Sequence, residues 1–355
     1  MSHAEAQLRY VKACAKLAGR DVLSALRLLY EAESLGWDED ACAAGRWDCY
    51  MLLGDFESAW SESDSIARRG AADPHRLWDG LPFTDRHVVL RCLHGLGDAI
   101  QFIRYARLIR NQAHSLTVEV PARLASLMEV VPGVDNVISW EVPRGFEPHW
   151  DQQIEIMEVP RAFRTTLASI PNAREYIHVP AESSAVCRNR WSIDGEFRVG
   201  LVWASSAWDS SRSVPLEMLV PILTKPNVSF FSLQAGPDQM QILHLPSACR
   251  CNDLVGNSIT PLETAAQISN LDLVISVDTM VAHLAGALGK PVWLLLHFAS
   301  DWRWMLHRAD SPWYPSMRIF RQQCPGDWAS VIRSVGAALD GLYCRRMPTR
   351  VSLET

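Results

Sequence analysis

The sequence has no cysteines paired at C-x-x-C spacing, no dense run of lysine and arginine, and no apolar stretch as long as a membrane-spanning helix. Each absence removes a class of protein. The nine cysteines (Cys14, Cys42, Cys49, Cys92, Cys187, Cys249, Cys251, Cys324, Cys344) are scattered and odd in number, which fits reduced thiols rather than a disulfide framework or a zinc site. Asp and Glu (40) outnumber Lys and Arg (34), and a formal charge of −6 argues against a nucleic-acid partner. No apolar run reaches roughly 18 residues, so no membrane span is expected. The first residues, MSHAEAQLRYVKACAK, lack the apolar core of a signal peptide, and the expected location is cytoplasmic. The G-x-S-x-G elbow, the P-loop and H-E-x-x-H are also missing, and His and carboxylates show no metal-ligand spacing, so neither metal nor cofactor is expected.

What is present is a large apolar complement, 48% of 355 residues, enough for two domains and an appendage. Fourteen tryptophans are many, and Trp302, Trp304, Trp313 and Trp328 gather near the C-terminus, where packing is their ordinary role. Residues 1–75 look helical. LAGRDVLSALRLLYEA (17–32) and MLLGDFESAWSESDSI (51–66) align with an offset of about 34 residues, a tetratricopeptide-like period. Gly54-Asp55-Phe56 fits that pattern, whereas the first copy carries Arg20 in place of Gly54. Two such repeats cannot bury a core alone, so this segment should pack on the next domain or on a protein partner.

From residue 85 the pattern becomes strand and helix in alternation. HVVLRCL (87–93), LTVEV (116–120) and NVISW (136–140) belong to one expected domain, 85–180. FRVGLVWAS (197–205), VSFFSLQ (228–234), LDLVISV (271–277), PVWLLL (291–296) and MRIFRQ (317–322) belong to a second, 197–340, beyond a polar stretch read as helix plus linker. Alternation of this kind predicts an α/β protein with doubly wound parallel sheets. Two such domains imply a cleft between them, where a ligand would bind.

Three clusters fall at strand-to-helix turns. Gly95-Leu96-Gly97-Asp98 allows a tight turn with positive φ, with Asp98 either a general base or an N-cap. Ser205 to Ser213, with Arg212, supplies hydroxyls and a guanidinium suited to phosphate oxygens, or is an ordinary polar loop. Asp278-Thr279 ends a buried run and opens a small-residue helix containing His283, so that Thr279 and nearby amides could hold a diphosphate. The plain alternatives are Asp278 as an N-cap and His283 as a core histidine.

Taken in order, HGLGDAIQFIRYARLI, WASSAWDSSRSVPL, SLQAGP, LDLVISVDTMVAHLAGALGKPVWLLL and DWRWMLHRADSPWYPSMRIFRQQCPGDW resemble bacterial tetratricopeptide proteins with a glycosyltransferase family 9, heptosyltransferase-like domain. The resemblance covers about residues 85–340. It implies a GT-B architecture of two facing Rossmann-like domains behind a short α-helical tetratricopeptide-like segment. It also implies inverting, metal-independent transfer from a nucleotide-diphospho-sugar, ADP-heptose being the guess, to a glycan, glycolipid or protein acceptor. On that pattern Asp98 is the base, and Gly95 and Gly97 form its turn. Arg212 and Ser213 contact the diphosphate, Gln234 and Gly236 hold the nucleoside, Asp278, Thr279 and His283 form the donor motif, and Gly95, Gly97, Ser205 and Met280 are placed with them at the donor. The chain departs from the family in having Met280 where Gly follows the Asp-Thr pair, Ser205-Ser206 where Gly-Asn is common, and EIMEVP at 155–160. A nucleotide-sugar epimerase and a catalytically inactive scaffold stand as alternatives.

Overall fold

The computed structural model describes residues 3–70, 76–142, 149–171, 173–189, 197–206, 209–249, 251–253 and 260–346. The chain opens with α1 (His3–Ala18), α2 (Val22–Ser34), α3 (Glu39–Leu53) and α4 (Phe56–Arg69), each packed on its predecessor. The 34-residue offset is visible in the caps. Asp21 accepts a hydrogen bond from the Ser24 amide to start α2, and Asp55 accepts one from the Ser58 amide to start α4. One residue earlier, Gly54 is left-handed at φ 79°, and its counterpart Arg20 adopts φ 61°. A side chain in that region costs about 1–2 kcal/mol. Arg20 tolerates it because its guanidinium is tied down, donating through Nη2 to the Ser300 carbonyl at 2.5 Å.

The first α/β unit contains β1 (His87–Arg91), α5 (Leu96–Phe102), α6 (Ala106–Arg110), β2 (Ser115–Val120), α7 (Ala122–Met128), β3 (Asn136–Ser139), β4 (Gln152–Glu155) and α8 (Val159–Ala162). Its sheet is parallel, in the order β3-β2-β1-β4. After α9 (Ala181–Asn189) comes the second unit: β5 (Phe197–Val202), α10 (Val220–Leu223), β6 (Val228–Ser232), β7 (Cys251–Asp253), α11 (Pro261–Ile268), β8 (Leu273–Val277), α12 (Met280–Ala287), β9 (Val292–Leu296), β10 (Met317–Arg321) and α13 (Trp328–Arg346). Its six strands, β10-β9-β8-β5-β6-β7, are parallel in the doubly wound order of a Rossmann sheet. In both sheets the strand order reverses beside the first strand, between β1 and β4 and between β5 and β8. There consecutive crossovers leave on opposite faces and open a crevice at the carboxyl ends.

Two of these strands, β4 and β7, were not expected from periodicity. The sequence of β4, Gln152-Gln153-Ile154-Glu155, is polar for a buried strand, and the Gln152 amide nitrogen and the Glu155 carboxylate find partners within the fold. Gln152 donates to the Leu81 carbonyl at 2.9 Å, and Glu155 accepts from the Met157 amide at 2.6 Å. No helix among the described residues is long and apolar enough to cross a membrane.

The helical segment does not stand apart. Met51, Phe56, Ala59 and Trp60 belong to the same buried cluster as the cores of both sheets. The Trp60 indole donates to the Thr165 carbonyl at 2.7 Å, and the Phe56 ring lies 5.9 Å from that of Trp313. Trp47 meets Trp302 edge-on at 5.5 Å, and Phe102 meets Trp313 edge-on at 5.5 Å, so aromatic rings from all three parts converge at one junction. Residues 3–70 excised from the chain are therefore expected to lose their cooperative melt by circular dichroism, while the whole chain keeps a sharp one. A sharp transition in the fragment would show that the helices carry their own core.

Candidate functional site

On the first sheet, β1 delivers the chain to the turn His94-Gly95 and then to α5. Asp98, in the first turn of that helix, uses both carboxylate oxygens: Oδ2 accepts from the Gly95 amide at 2.9 Å, and Oδ1 accepts from Arg303 Nη2 at 2.5 Å. Neither Gly95 nor Gly97 adopts positive φ, contrary to the sequence expectation; Gly95 is extended at φ −69°. What Gly97 supplies is room. A Cβ there would stand 2.9 Å from the His283 ring of the opposite unit.

On the second sheet, the loops after β5 and β8 meet across the reversal point. Gln234, buried after β6, accepts from the Trp203 and Ala204 amides at 3.1 and 2.9 Å and donates back to the Ala204 carbonyl at 3.1 Å. This locks the start of the β5 loop. Ser213 Oγ then accepts from the Ser205 amide at 3.0 Å, and Ser205 Oγ donates to the Asp209 carbonyl at 2.5 Å. Asp209 starts the turn Ser210–Arg212, which directs the Arg212 guanidinium to the Asp278 carbonyl at 3.1 Å. The β5 and β8 loops are thereby joined by a cation.

Beyond β8, the N-cap of α12 is Thr279 rather than Asp278, and Met280 is the first residue of the helix. Asp278 turns inward, where Oδ2 accepts from the Trp304 indole at 2.8 Å. Burial, reinforced by Asp301, pushes its carboxyl up to about 6 against the opposing Trp304 hydrogen bond and the nearby positive charges of Arg212 and Arg303. His283 lies one turn on, with Nδ1 against the Tyr314 hydroxyl at 2.9 Å, Nε2 3.7 Å from Asp278, and its ring stacked on Trp304. Burial and the neighbouring arginines hold it well below the usual histidine range, favouring a neutral ring. Both its nitrogens face protein groups; it is not aimed outward at an anion.

These elements match a known architecture. A solved family 9 glycosyltransferase from Veillonella parvula aligns at TM-score 0.54 and 12% identity, over 77% of this chain and 93% of its own. The ADP-heptose lipopolysaccharide heptosyltransferase II of E. coli aligns at TM-score 0.56 and 15% identity, over 73% of this chain and 99% of its own. The chain has the fold of the family 9 glycosyltransferases. In sequence it is similar to Protein FlbA of Caulobacter vibrioides, 25% identical over 321 residues and 81% of this chain. It spans about half the length, 53%, of that curated relative. No protein-family model matches the sequence.

Within the family 9 fold, Asp98, Gly97, Arg212, Asp278, Thr279 and His283 come together at the junction of the two sheets. Gln234 and Ser213 serve the backbone of the second sheet's loops, and Gly236 (φ 81°) sits in an open turn with nothing within 4 Å of a Cβ position. Ala207 and Trp208 of the same cluster lie outside the described residues. Sequence reasoning missed Arg303. Its block, DWRW, was recognised as a motif, but no spacing relates position 303 to position 98, 205 residues earlier. Glu155, which the epimerase alternative would use as an acid or base together with Glu158, ends β4 at the first reversal point, fully buried, with burial pushing its carboxyl up to about 7.

Two outcomes follow. Gly97→Ala pushes a methyl into His283 and should cost about 1–3 kcal/mol, read from urea unfolding. For Glu155 the sign is set by a raised folded-state value. The unfolded chain releases the proton near 4.5 while the folded chain keeps it up to about 7, so stability falls as pH rises through that window and is level above it. The shift corresponds to about 3 kcal/mol. Asp278 contributes in the same direction below about 6. Glu155→Gln, neutral throughout, should be less destabilised than the wild type between about pH 5 and about pH 8, a difference visible in denaturant midpoints.

Proposed function

We propose that the protein is an inverting, metal-independent glycosyltransferase that moves a sugar from a nucleoside-diphosphate donor, ADP-heptose being the leading candidate, to the hydroxyl of a glycan, glycolipid or protein acceptor. The observation that carries this reading is the placement of two strand-order reversals face to face. One presents a carboxylate, Asp98, and the other presents Arg212 beside the start of α12. The acceptor hydroxyl attacks the anomeric carbon and gives its proton to Asp98 as the bond to the diphosphate breaks on the opposite face of the sugar. Arg212, the Thr279 hydroxyl and the N-terminal end of α12 then stabilise the additional negative charge that develops on the leaving diphosphate as the bond breaks. These protein groups take the part that a divalent cation plays in other transferases.

An epimerase would need a further acid or base at the anomeric centre. Glu158 accepts from the Leu77 and Trp78 amides at 2.8 and 3.0 Å, and Glu155 is fully enclosed, so the carboxylates beside Asp98 are committed to the fold. An inactive scaffold, in which the helical segment binds a partner, makes a different demand: no nucleotide should bind.

Thermal melting with ADP, UDP and GDP separates these readings. A nucleotide at a hundredfold excess over its dissociation constant stabilises the folded state by about 2.7 kcal/mol, and the proposal expects one of the three to raise the melting temperature. Asp98→Asn should keep that shift and lose about 10²–10⁴ in transfer rate. No shift with any nucleotide leaves the scaffold; unchanged transfer by the variant removes Asp98 from the mechanism.

A further inference from the structure

Arg303 is a buried cation that ties the two units together at the junction. Its guanidinium is buried and donates Nε to Gln101 at 2.9 Å, Nη1 to Asp301 at 2.9 Å and Nη2 to Asp98 at 2.5 Å. Its charged centre lies 4.6 Å from the Trp302 ring. It belongs to the second sheet's unit, on the loop after β9, whereas Asp98 and Gln101 belong to α5 of the first. A planar fork fixed on three oxygens of two units cannot swing toward a phosphate without breaking contacts on both.

The loop that carries it is held from within the second sheet by Arg321 of β10, which donates to the Trp304 and Met305 carbonyls at 2.9 and 2.6 Å, and from outside the two sheets as well. Arg20 donates to the Ser300 carbonyl at 2.5 Å, the Leu306 amide donates to the Leu52 carbonyl at 3.0 Å, and Trp47 packs edge-on to Trp302. Three contacts from the helical segment therefore bracket the short turn Trp302–Trp304 that aims the guanidinium.

We infer that Arg303 is a positioning residue for the transfer reaction, orienting the Asp98 carboxylate toward the acceptor, and that the helical segment, through Arg20, holds Arg303 in place. The inference rests on the transferase reading. A carboxylate offers about four lone-pair sites, so one Arg303 contact and one Gly95 contact leave capacity for the acceptor hydroxyl while removing rotation about the side chain. The proton released by that hydroxyl passes to Asp98 itself. Arg303 exchanges none.

The test uses the full-length chain and three variants. Arg303→Lys keeps the charge but cannot bridge Asp98, Asp301 and Gln101 at once. Arg20→Gly removes the outer tether while suiting the left-handed backbone at that position, as Gly54 does in the second pair. Arg303→Ala removes the fork, with added guanidinium ion as the rescue. Turnover of ADP-heptose is expected to fall about 10²-fold in kcat for both Arg303 variants, and in the same direction for Arg20→Gly, with donor KM and the ADP-induced melting shift unchanged. Guanidinium should restore part of the Arg303→Ala rate. A second readout needs no turnover: carbodiimide labelling of Asp98, followed by peptide mass spectrometry, should run about tenfold faster in Arg303→Lys and Arg20→Gly than in the wild type, as expected for the loss of a charge-assisted hydrogen bond. Equal labelling in all chains would overturn the inference. So would a variant that loses ADP affinity with kcat intact, since Arg303 would then be a donor clamp. Absence of wild-type turnover beside faster labelling in the variants would instead sink the transferase reading and leave the tether standing.

Discussion

Two helix starts meet nose to nose where Gly97 of α5 lies against His283 of α12, and much of the site is organised by that approach. It can happen only because position 97 has no side chain: a Cβ would stand 2.9 Å from the imidazole. Once the helices are this close, Asp98 and Asp278 lie near the same seam, and Arg303 fills the space between them, in direct contact with Asp98 and within electrostatic reach of Asp278. A buried guanidinium is costly unless it is paired, and here Asp98, Asp301 and Gln101 pair it. The junction is thus a small network in which removing one charge leaves the others unbalanced.

The same network joins the helical segment to the chemistry. The four-helix segment has a small buried cluster of its own around Val22, Leu28, Leu29 and Leu52, and it shares Phe56 and Trp60 with the sheets. In doing so it grips the loop after β9. The left-handed Arg20 is the residue where this is most visible: its backbone is strained and its side chain is anchored in another part of the molecule.

The second sheet's loops are governed by a different constraint. Loops at the carboxyl edge of a parallel sheet carry backbone groups that strands no longer satisfy, and here polar side chains satisfy them. Gln234 binds the β5 loop, Ser213 and Ser205 close it, and Arg212 joins it to β8. These contacts fix Arg212 and the start of α12, the kind of orientation that the proposed stabilisation of a leaving group calls for.

The pattern of apolar runs was enough to read most strands, the two α/β units, the 34-residue helical offset, and the turns that carry Asp98, Arg212 and Asp278-Thr279. These are local properties, set by period, caps and breakers. Glycine's role at position 97 was misread, as conformational freedom rather than clearance, because clearance depends on a neighbour that is distant in sequence. β4 was missed because its polar residues are matched by partners elsewhere in the chain. Arg303 and the neutral, inward-facing His283 belong to the tertiary structure alone: an ion pair across 205 residues has no period, and burial, which sets the charge state of His283 and Asp278, exists only once the two sheets face each other.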